Sequence, residues 1–443
     1  MAKHHHHHLC MPELPVKYVF GVVAVVSIIS LAVTMKYKVA SIVPTIQDSS
    51  FKFSFALRRQ TTTSSWTAED QMDNKSLRYK PSPYLPLNLS VTTMATKNVG
   101  TQDFEDWLPP NSETNQTCLE TPNGSWIHIY QSAPWRAGVK DVGAPYLCVG
   151  TPGRLGNMMF TFASAVGIAA LTKRTVVVLP TSPLLRHFRL QALVDCDGSR
   201  CSGERVVGVS EKKCCTFDPN MTSPRPKVRS LFIRKYMQSW RYFAQAEADV
   251  RRQMTAYGDT AARVSAVIAR LRQELGGTVT LVGVHVRHGD IVRVARFREH
   301  GYRVPPVGYF LRAISFFAAR HPRIAFLFST DVKSYVQDTI LPLCEQVQGG
   351  GPFFGRSGNA SLKKATYVGV RCRQISTDDP VVDLLTLASC DHVIMSVGTF
   401  GWWAGWLAGG DVVYYNHPYR PKSTLWNSTK MEDFFPPGWI PMA

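Results

Sequence analysis

The residues best suited to chemistry lie at the end of a short apolar run. Residues 281–286 are rich in valine and predict a buried strand, and the charged or titratable residues at its end are His285, Arg287, His288 and Asp290. Because side chains alternate along a strand, His285 and Arg287 share one face. A guanidinium at the carboxyl end of a parallel strand can bind an oxyanion such as a diphosphate through two hydrogen bonds. The alternative is a structural ion pair between Arg287 and Asp290 that caps the strand.

The turn G-R-L-G-N, from Gly153 to Asn157, is a second candidate site. It stands between a predicted strand, Y-L-C-V-G, and a helix predicted over residues 157–172. Glycines let backbone N–H groups approach a ligand, and a helix N-terminus favours an anion. The turn fits neither the dinucleotide-binding nor the P-loop pattern. Arg154, with Gly156 and Asn157, points to a pyrophosphate or acceptor-side role, and a purely structural turn is the alternative.

The elements around both sites alternate between strands and helices. Strand, glycine-rich turn, helix and a strand at 175–179 predict a β-α-β unit and therefore a parallel sheet. A long helical stretch, 243–275, is broken around 257–259 and ends at Gly276, as a C-cap would end it. Further strands are predicted at 278–286, 324–329, 392–396 and 412–415, and further helices at 309–320, 380–389 and 402–408. The pattern indicates two α/β halves with a cleft between them.

The region before these halves is not typical of a folded domain. Residues 18–35 are apolar and uncharged between lysines, which predicts a membrane-spanning signal anchor. The preceding residues 1–17 are assigned to a cytoplasmic tail, and the polar residues 36–134 to a flexible stem. The folded part is then divided into an N-terminal half, 135–275, and a C-terminal half, 276–443. His4 to His8 are read as a tag or a chance tract.

Sequons and cysteines place the folded part in a lumen. Seven Asn-X-Ser/Thr sequons follow the anchor, at Asn74, Asn88, Asn115, Asn123, Asn220, Asn359 and Asn427. Nine of the ten cysteines also follow it, so at least one stays unpaired or pairs between chains. Cys196 with Cys201, and the adjacent Cys214 and Cys215, are predicted to form a local disulfide cluster. Zinc-binding spacing is absent, and no metal site is predicted.

The net charge narrows the class of ligand. Fifty Lys and Arg stand against 32 Asp and Glu, a formal charge of +18 that attracts polyanions. Signatures of nucleic-acid-binding modules are absent. A nucleotide-diphosphate substrate suits this charge better than nucleic acid.

Four motifs together resemble those of the α1,2-fucosyltransferases, glycosyltransferase family 11, which make blood-group H-type glycans. V-G-V-H-V-R-H-G-D at 282–290 resembles their H-x-R-R-x-D signature, and G-R-L-G-N-M-M-F at 153–160 resembles their G-R-L-G-N-Q-M turn. Y-M-Q-S-W-R-Y-F at 236–243 and I-M-S-V-G-T-F-G-W-W at 394–403 are similar to two further shared stretches. The motifs occur in family order and span about 153–415.

The resemblance implies a GT-B-like fold of two Rossmann-type halves, with GDP-fucose held mainly by the second half. By the same resemblance, Arg287 would hold the β-phosphate, His285 the guanosine, and Asp383 the guanine. Thr399 and the helix that follows it would hydrogen-bond phosphate oxygens, and Ser396 either joins them or only ends the strand. No divalent ion would be needed.

One position departs from the family pattern, because His288 stands where a second arginine is usual. Either that charge is dispensable, or a protonated His288 supplies it. Asp290 is the nearest candidate for the base that inversion requires, and it could equally orient Arg287.

The function expected from the resemblance is inverting transfer of L-fucose from GDP-β-L-fucose to the 2-OH of a terminal galactose on glycoproteins or glycolipids. The protein is then a single-pass type II Golgi membrane enzyme with its catalytic part in the lumen. The alternatives are another GDP-fucose transfer, such as α1,6 or protein O-fucosylation, and a catalytically silent glycan-binding glycoprotein. Whether it forms a homodimer is left open.

Overall fold

The computed structural model describes residues 118–120, 126–128, 133–136, 139–143, 145–276, 278–348, 369–375, 377 and 379–443. The predicted cytoplasmic tail, membrane anchor and most of the stem lie outside the described residues. The same holds for the sequons at Asn74, Asn88, Asn115, Asn123 and Asn359.

The first large sheet contains five parallel strands. These are β3 (Tyr146–Val149), β4 (Thr175–Val178), β5 (Leu193–Val194), β6 (Val206–Val209) and β7 (Ser230–Ile233). They pair in the order β5-β4-β3-β7-β6. A small antiparallel pair, β1 (Cys118–Glu120) and β2 (Trp126–His128), precedes them in the chain. The parallel pairing places the carboxyl ends of these strands at one edge, next to the turn that carries Arg154.

The second large sheet contains six strands, and all of them are parallel. They are β8 (Thr280–Val286), β9 (Ile324–Thr330), β10 (Val370–Gln374), β11 (His392–Met395), β12 (Val412–Tyr415) and β13 (Ile440–Met442), in the order β10-β9-β8-β11-β12-β13. The central strand β8 is buried along almost its whole length and pairs with β9 and β11. Its carboxyl end therefore opens at the middle of the sheet edge, which is where parallel sheets bind ligands.

Helices surround the two sheets. The first, α1 (Leu155–Thr172), is followed by α2 (Glu247–Gln253), α3 (Gly258–Leu275), α4 (Gly289–Arg293), α5 (Ala295–His300) and α6 (Val307–Ala318). Next come α7 (Lys333–Tyr335), a π-helical segment (Val336–Ile340), α8 (Leu341–Gln348), α9 (Pro380–Ala388), α10 (Thr399–Ala408), α11 (Thr424–Ser428) and α12 (Met431–Phe434). The predicted α/β class with parallel sheets is confirmed.

Local signals explain several helix ends. Gly276 follows α3 at a φ of 65° and its N–H bonds back to Arg272, as the sequence predicts. Asp379 caps α9 by accepting hydrogen bonds from Val381 and Val382, with Pro380 in the first turn. The predicted break near residue 257 is also present, between α2 and α3.

Six short strands before β13 were not predicted, and the last strand was predicted too early. The missed strands are β1 and β2, which lie in the segment predicted to be the stem, and β5, β6, β7 and β10; β13 follows the strand expected to be the final one. Strands of two to five residues have too few alternating positions to show a period. β13 also contains Pro441, which a strand tolerates at a sheet edge. The helix predicted to begin at Trp402 begins three residues earlier, at Thr399.

Helix α1 is long and apolar enough to cross a membrane by length and composition alone. Its residues Met159, Phe160, Phe162 and Ala163 are buried in the protein core. Two-thirds of its span is buried, as a core helix requires. The segment predicted to be the anchor is not this helix, and it lies outside the described residues.

The disulfides differ from the predicted local cluster. Cys196 pairs with Cys118, Cys201 pairs with Cys148, and a third bond joins Cys344 to Cys372. Cys214, Cys215 and Cys390 are free thiols in the structure. The prediction of a Cys196–Cys201 bond was wrong, because the folded chain brings each of these residues to a distant strand that spacing in the sequence does not reveal.

Candidate functional site

Arg287 is fixed in place at the end of β8. Its Nε and Nη2 donate to the two carboxylate oxygens of Asp290, both at 2.9 Å, and its side chain is only 15% exposed. Its guanidinium lies 5.3 Å from the ring centre of Phe297 and 5.2 Å from that of Tyr302. The carboxylate thus binds one edge of the planar guanidinium, and the two aromatic rings lie near it. Together they fix its orientation. The ion pair that the sequence offered as an alternative is present.

Asp290 also holds Arg154, which comes from the turn before α1. Arg154 is 72% exposed on its side chain, whereas Asp290 is 18% exposed. Burial works to raise the pKa of Asp290, but the hydrogen bonds and charge of Arg287 and Arg154 lower it to about 2. One carboxylate therefore joins the two arginines that the sequence singled out, although they are far apart in the chain.

His285 lies beneath this ion pair and is 5% exposed. Its Nδ1 is 3.2 Å from the Ser396 hydroxyl, and its ring stacks on Phe400 with centroids 5.1 Å apart. Gly401 leaves the room for this ring, since a Cβ there would lie 2.4 Å from the His285 Nδ1. Burial, and then the charge of Arg287, lower the pKa of His285 to about 4, so the imidazole is neutral at neutral pH. The contact with guanosine stays a prediction.

Ser396 comes directly after strand β11, which ends at Met395, and it also holds the neighbouring strand end. Its hydroxyl accepts a hydrogen bond of 2.9 Å from the Arg287 backbone N–H, and its own N–H donates to the His285 carbonyl. Gly398 follows at a φ of 90°, and a Cβ there would lie 2.5 Å from the Arg287 Nη1. Only glycine allows this close approach of the backbone to the guanidinium. The S-V-G-T turn is therefore built around Arg287.

His288 points away from the ion pair. Its ring stacks on Tyr335 with centroids 3.8 Å apart, and its backbone N–H donates to Asp331 at 2.8 Å. Burial lowers the pKa of His288, the charge of Asp331 opposes this effect, and the charge of Arg293 adds to it. Whether a protonated His288 supplies the second positive charge stays a prediction. Arg154 brings a second guanidinium to Asp290.

Asp383 stands apart from this cluster, on helix α9. Its Oδ1 accepts from the Thr377 N–H at 2.8 Å and from the Thr377 hydroxyl at 2.7 Å. Its Oδ2 is 3.5 Å from the Ser329 hydroxyl, on the strand next to His285. The residue is 8% exposed, and burial raises its pKa in spite of these bonds. Recognition of guanine by Asp383 stays a prediction.

The N-termini of α1 and α10 meet at the cluster. The Thr399 hydroxyl donates to the Asn157 side-chain oxygen at 2.9 Å, and the Trp403 indole donates to the Gly156 carbonyl at 2.9 Å. A Cβ on Gly156 would lie 2.7 Å from the Thr399 carbonyl carbon. Neither helix has a side-chain cap. Their first N–H groups and partial positive charges therefore converge on one place, which suits an anion.

Two buried tryptophans of helix α10 belong to the core. Trp402 and Trp403 are completely buried, and the Trp402 indole donates to the Phe434 carbonyl at 2.8 Å. They have no surface on which a sugar could stack.

Two residues that sequence reasoning missed complete the site. Asp331, at the end of β9, accepts hydrogen bonds from the backbone of His288 and Gly289. Gln238 donates to the Asn157 side-chain oxygen at 2.9 Å, beside the bond from Thr399. An Asp just after a predicted parallel strand was a usable signal for the first of these. Gln238 lies in the Y-M-Q-S-W-R-Y-F stretch at 236–243, and that resemblance was the available signal for the second.

The two sequons within the described residues, Asn220 and Asn427, are both exposed. The described residues contain no group of three His, Cys, Asp or Glu side chains that could hold a metal ion.

Comparison with known proteins gives consistent similarities. Residues 227–443 match the model of the family described as "Glycosyl transferase family 11". The chain is 29% identical to galactoside alpha-(1,2)-fucosyltransferase 1 of Saimiri sciureus over 298 residues, which is 65% of this chain and 72% of the relative. It is also 29% identical to the Homo sapiens protein of the same name over 296 residues, with the same coverage.

Solved fucosyltransferases give weaker structural similarities. Arabidopsis thaliana FUT1 in complex with GDP has a TM-score of 0.42 at 15% identity, covering 64% of this chain and 72% of that one. Fucosyltransferase NodZ from Bradyrhizobium has a TM-score of 0.37 at 17% identity, covering 59% and 92%. Both scores lie below 0.5, and the fold assignment rests on the two parallel sheets themselves.

Proposed function

We propose, on the premise that this chain belongs to glycosyl transferase family 11, that it is an inverting fucosyltransferase. It transfers L-fucose from GDP-β-L-fucose to the 2-OH of a terminal galactose on glycoproteins or glycolipids and forms an Fucα1-2Gal linkage. The α1,2 specificity is supported by the names of the relatives and by the G-R-L-G-N and G-T-F-G-W-W motifs.

The observation that carries the proposal is the meeting of Arg154, Arg287 and two uncapped helix N-termini. A leaving diphosphate gains negative charge as the bond to fucose breaks, and fixed guanidinium and N–H donors stabilise that charge. Two guanidinium groups supply the role that a divalent cation has in other transferases. We therefore propose that no metal ion is required.

In the proposed donor complex, the diphosphate replaces Asp290 as the partner of Arg287. Thr399 and the start of α10 hydrogen-bond its oxygens, and Asp383 binds guanine as the resemblance implies. The acceptor hydroxyl attacks the anomeric carbon on the face opposite to GDP, which inverts its configuration. The two sheets are then the Rossmann-type halves of a GT-B-like fold, with the acceptor on the first half and GDP-fucose in the cleft on the second.

The proton of the acceptor hydroxyl requires a base. While Asp290 is bound to two arginines, its pKa of about 2 makes it a weak proton acceptor. Release of Arg287 to the diphosphate raises the basicity of Asp290, because its nearest positive charge is then neutralised. Asp290 stays the candidate base in this proposal, and orienting free Arg287 is its first role.

We further propose a single-pass type II Golgi location with the described residues in the lumen. Three disulfide bonds fit an oxidising compartment, and the exposed Asn220 and Asn427 are open to glycosylation. Other GDP-fucose transfers are the second candidate, because the H-x-R element occurs in more than one class. A catalytically silent glycan-binding protein is the third.

Incubation with GDP-fucose and a panel of β-galactosides in EDTA tests these proposals together. The secreted fragment should start at Leu77 rather than near residue 131, because it must retain Cys118 to pair with Cys196. We expect a fucosylated galactoside in EDTA, and its linkage determines whether transfer is to O2. Absence of product on every galactoside would refute galactoside transfer, and loss of product only in EDTA would refute the metal-free mechanism. Arg270→Gln, a change of an exposed helix residue, is the control for Arg287→Gln.

A further inference from the structure

We propose that Cys214 and Cys215 are oxidised in the mature protein to a disulfide between adjacent residues, which forms a modification site beside the anion-binding cluster. Their sulfur atoms are 2.7 Å apart. A disulfide bond is about 2.05 Å long, so the thiols already face each other and closing the bond requires a small movement. Cys215 has a φ of 57°, an uncommon conformation for a residue other than glycine. The backbone is thus turned so that neighbouring side chains, which normally diverge, point the same way.

The surroundings distinguish this pair from Cys390, the other free thiol among the residues that the structure describes. Cys214 is partly exposed, whereas Cys215 and Cys390 are buried. Cys390, which follows helix α9, donates to the Thr386 carbonyl of that helix at 3.5 Å. The three disulfides elsewhere in the described residues show that cysteines brought together by this fold are oxidised. A facing pair with one accessible sulfur meets the same conditions.

Oxidation proceeds by exchange with an external disulfide, such as oxidised glutathione or an oxidoreductase of the lumen. The Cys214 sulfur attacks that disulfide, forms a mixed disulfide and releases one thiol. The Cys215 sulfur then attacks Cys214 and releases the second thiol. The two cysteines lose two electrons and two protons, and the external disulfide gains them. Burial raises the pKa of the Cys215 thiol well above its usual value, which is consistent with Cys214 reacting first.

A bond between adjacent residues has a local effect. The three other disulfides join residues 78, 53 and 28 positions apart and restrict the unfolded chain over those loops. A ring of two residues restricts almost nothing in the unfolded chain, so its contribution to global stability is small. The disulfide therefore acts mainly on the residues that its sulfur atoms contact.

Gln238 connects the cysteine pair to the candidate site through hydrogen bonds. The Gln238 side-chain oxygen accepts from Cys215 at 3.2 Å and faces Cys214 at 3.7 Å. The amide nitrogen of the same residue donates to Asn157, on which the Thr399 hydroxyl also converges. Oxidation removes both S–H donors from Gln238 and fixes the two sulfur atoms against it. The redox state of the pair therefore sets the position of the Asn157 and Thr399 side chains.

Peptide mapping of the full-length chain, purified in detergent, tests the modification without any assay of activity. Trypsin cuts after Lys213 and next after Lys227, because Pro226 protects Arg225, and the resulting peptide contains only these two cysteines. Its glycan at Asn220 is removed enzymatically before analysis. After alkylation in denaturant without reductant, we expect this peptide unalkylated and two hydrogen atoms lighter than the dithiol, while Cys390 is alkylated. Alkylation of both cysteines, or a bond to any other cysteine, overturns the proposal.

A kinetic comparison tests the connection to the site. The double variant Cys214→Ser, Cys215→Ser again offers hydroxyl donors to the Gln238 oxygen and releases it from the fixed sulfur atoms. We expect this variant to raise KM for GDP-fucose about five-fold, which corresponds to about 1 kcal/mol. Cys390→Ser is the matched control and should leave KM unchanged. An unchanged KM in the double variant, with the disulfide present in the wild-type peptide, refutes the connection but not the modification. Loss of all fucosyl transfer by the wild type concerns the proposed function and leaves the peptide result intact.

Discussion

Asp290 is the residue on which the two candidate motifs converge. It bonds to Arg287 through both oxygens and also contacts Arg154, so its negative charge lies where the proposed diphosphate would bind. A carboxylate in this position offsets the repulsion between the two guanidinium groups. It also holds both groups in a geometry suited to binding a diphosphate. The same carboxylate must give up Arg287 for a donor to bind.

The stability contributed by Asp290 should depend on pH in a defined direction. Its folded pKa is about 2, below the ordinary 3.8, so its ion pairs stabilise the protein fully above about pH 4 and lose that effect as the pH falls toward 2. We expect Asp290→Asn to lower the thermal midpoint at pH 7, and the difference from wild type to vanish on acidification. Asp249→Asn, which removes an exposed ion pair with Arg252, should change little. A difference that persists unchanged at pH 2 would contradict this assignment.

His288 should not contribute charge to activity. Burial lowers its pKa and its ring is stacked on Tyr335, so the protonated form is disfavoured. We expect His288→Phe, which retains a ring against Tyr335, to keep both the activity and the shape of the pH profile. His288→Arg should give no gain, and wild-type activity that falls as the pH rises through the histidine range, with no such fall in His288→Arg, would show that the protonated form matters. The measurement is kcat/KM between pH 5 and pH 8.

At the scale of elements, the site depends on two helices that begin against each other. Helix α1 follows the first sheet and α10 follows the second, and Gly156 lets them approach at Thr399. The Trp403 indole and the Thr399 hydroxyl then bond to the first turn of α1. The helix pair therefore sets the distance between the parts of the site that each half contributes.

Replacement of Gly156 by alanine should separate these helices. A Cβ 2.7 Å from backbone carbon cannot be accommodated by a side-chain rotation, so the helices must shift. We expect Gly156→Ala to destabilise the protein by about 1 to 3 kcal/mol and to weaken GDP-fucose binding. Gly308→Ala is the control in helix α6, because its new Cβ would meet only the flexible end of Arg312 at 3.1 Å. Equal thermal midpoints and KM values for both variants would refute the role of Gly156.

At the scale of the molecule, helix α12 near the end of the chain contacts residues of the first half. Asp433, on α12, accepts from the Phe217 N–H at 2.9 Å and from Arg241 at 2.8 Å. The Ser239 hydroxyl and the Trp240 indole donate to the backbone of Asp433 and Glu432. The predicted boundary at residue 276 separates the two sheets, but residues after it contribute to the packing of residues before it.

Asp433→Asn should therefore weaken the whole molecule. The buried carboxylate satisfies two donors, and an amide can accept from them with only one oxygen. We expect a loss of about 1 to 3 kcal/mol in the free energy of unfolding, measured by denaturant titration. Glu432→Gln changes an exposed neighbour whose partner, Lys430, is also exposed, and it should have almost no effect. A similar loss in both variants would show that the charge of α12, and not the buried contact, is responsible.

Local sequence signals were sufficient to predict part of the fold and part of the candidate site. Alternation of apolar segments predicts α/β units with parallel sheets, and Gly276 marks a helix end, because each signal acts within a few residues. The candidate anion-binding residues Arg154 and Arg287 were found in the same way, from turns that follow a strand, whereas Thr399 was implied by the family resemblance. The anchor, the stem and five of the sequons rest on sequence alone.

The tertiary structure decided which of these residues meet. The bond of Asp290 to both arginines, the burial of His285 and the turn of His288 toward Tyr335 each depend on strands and helices brought together from distant parts of the chain. The cysteine pairing follows the same rule, because Cys118 and Cys196 become neighbours only after folding. Residue type and spacing define which groups are present, whereas distance, burial and partner charge, which set their protonation and reactivity, arise from long-range packing.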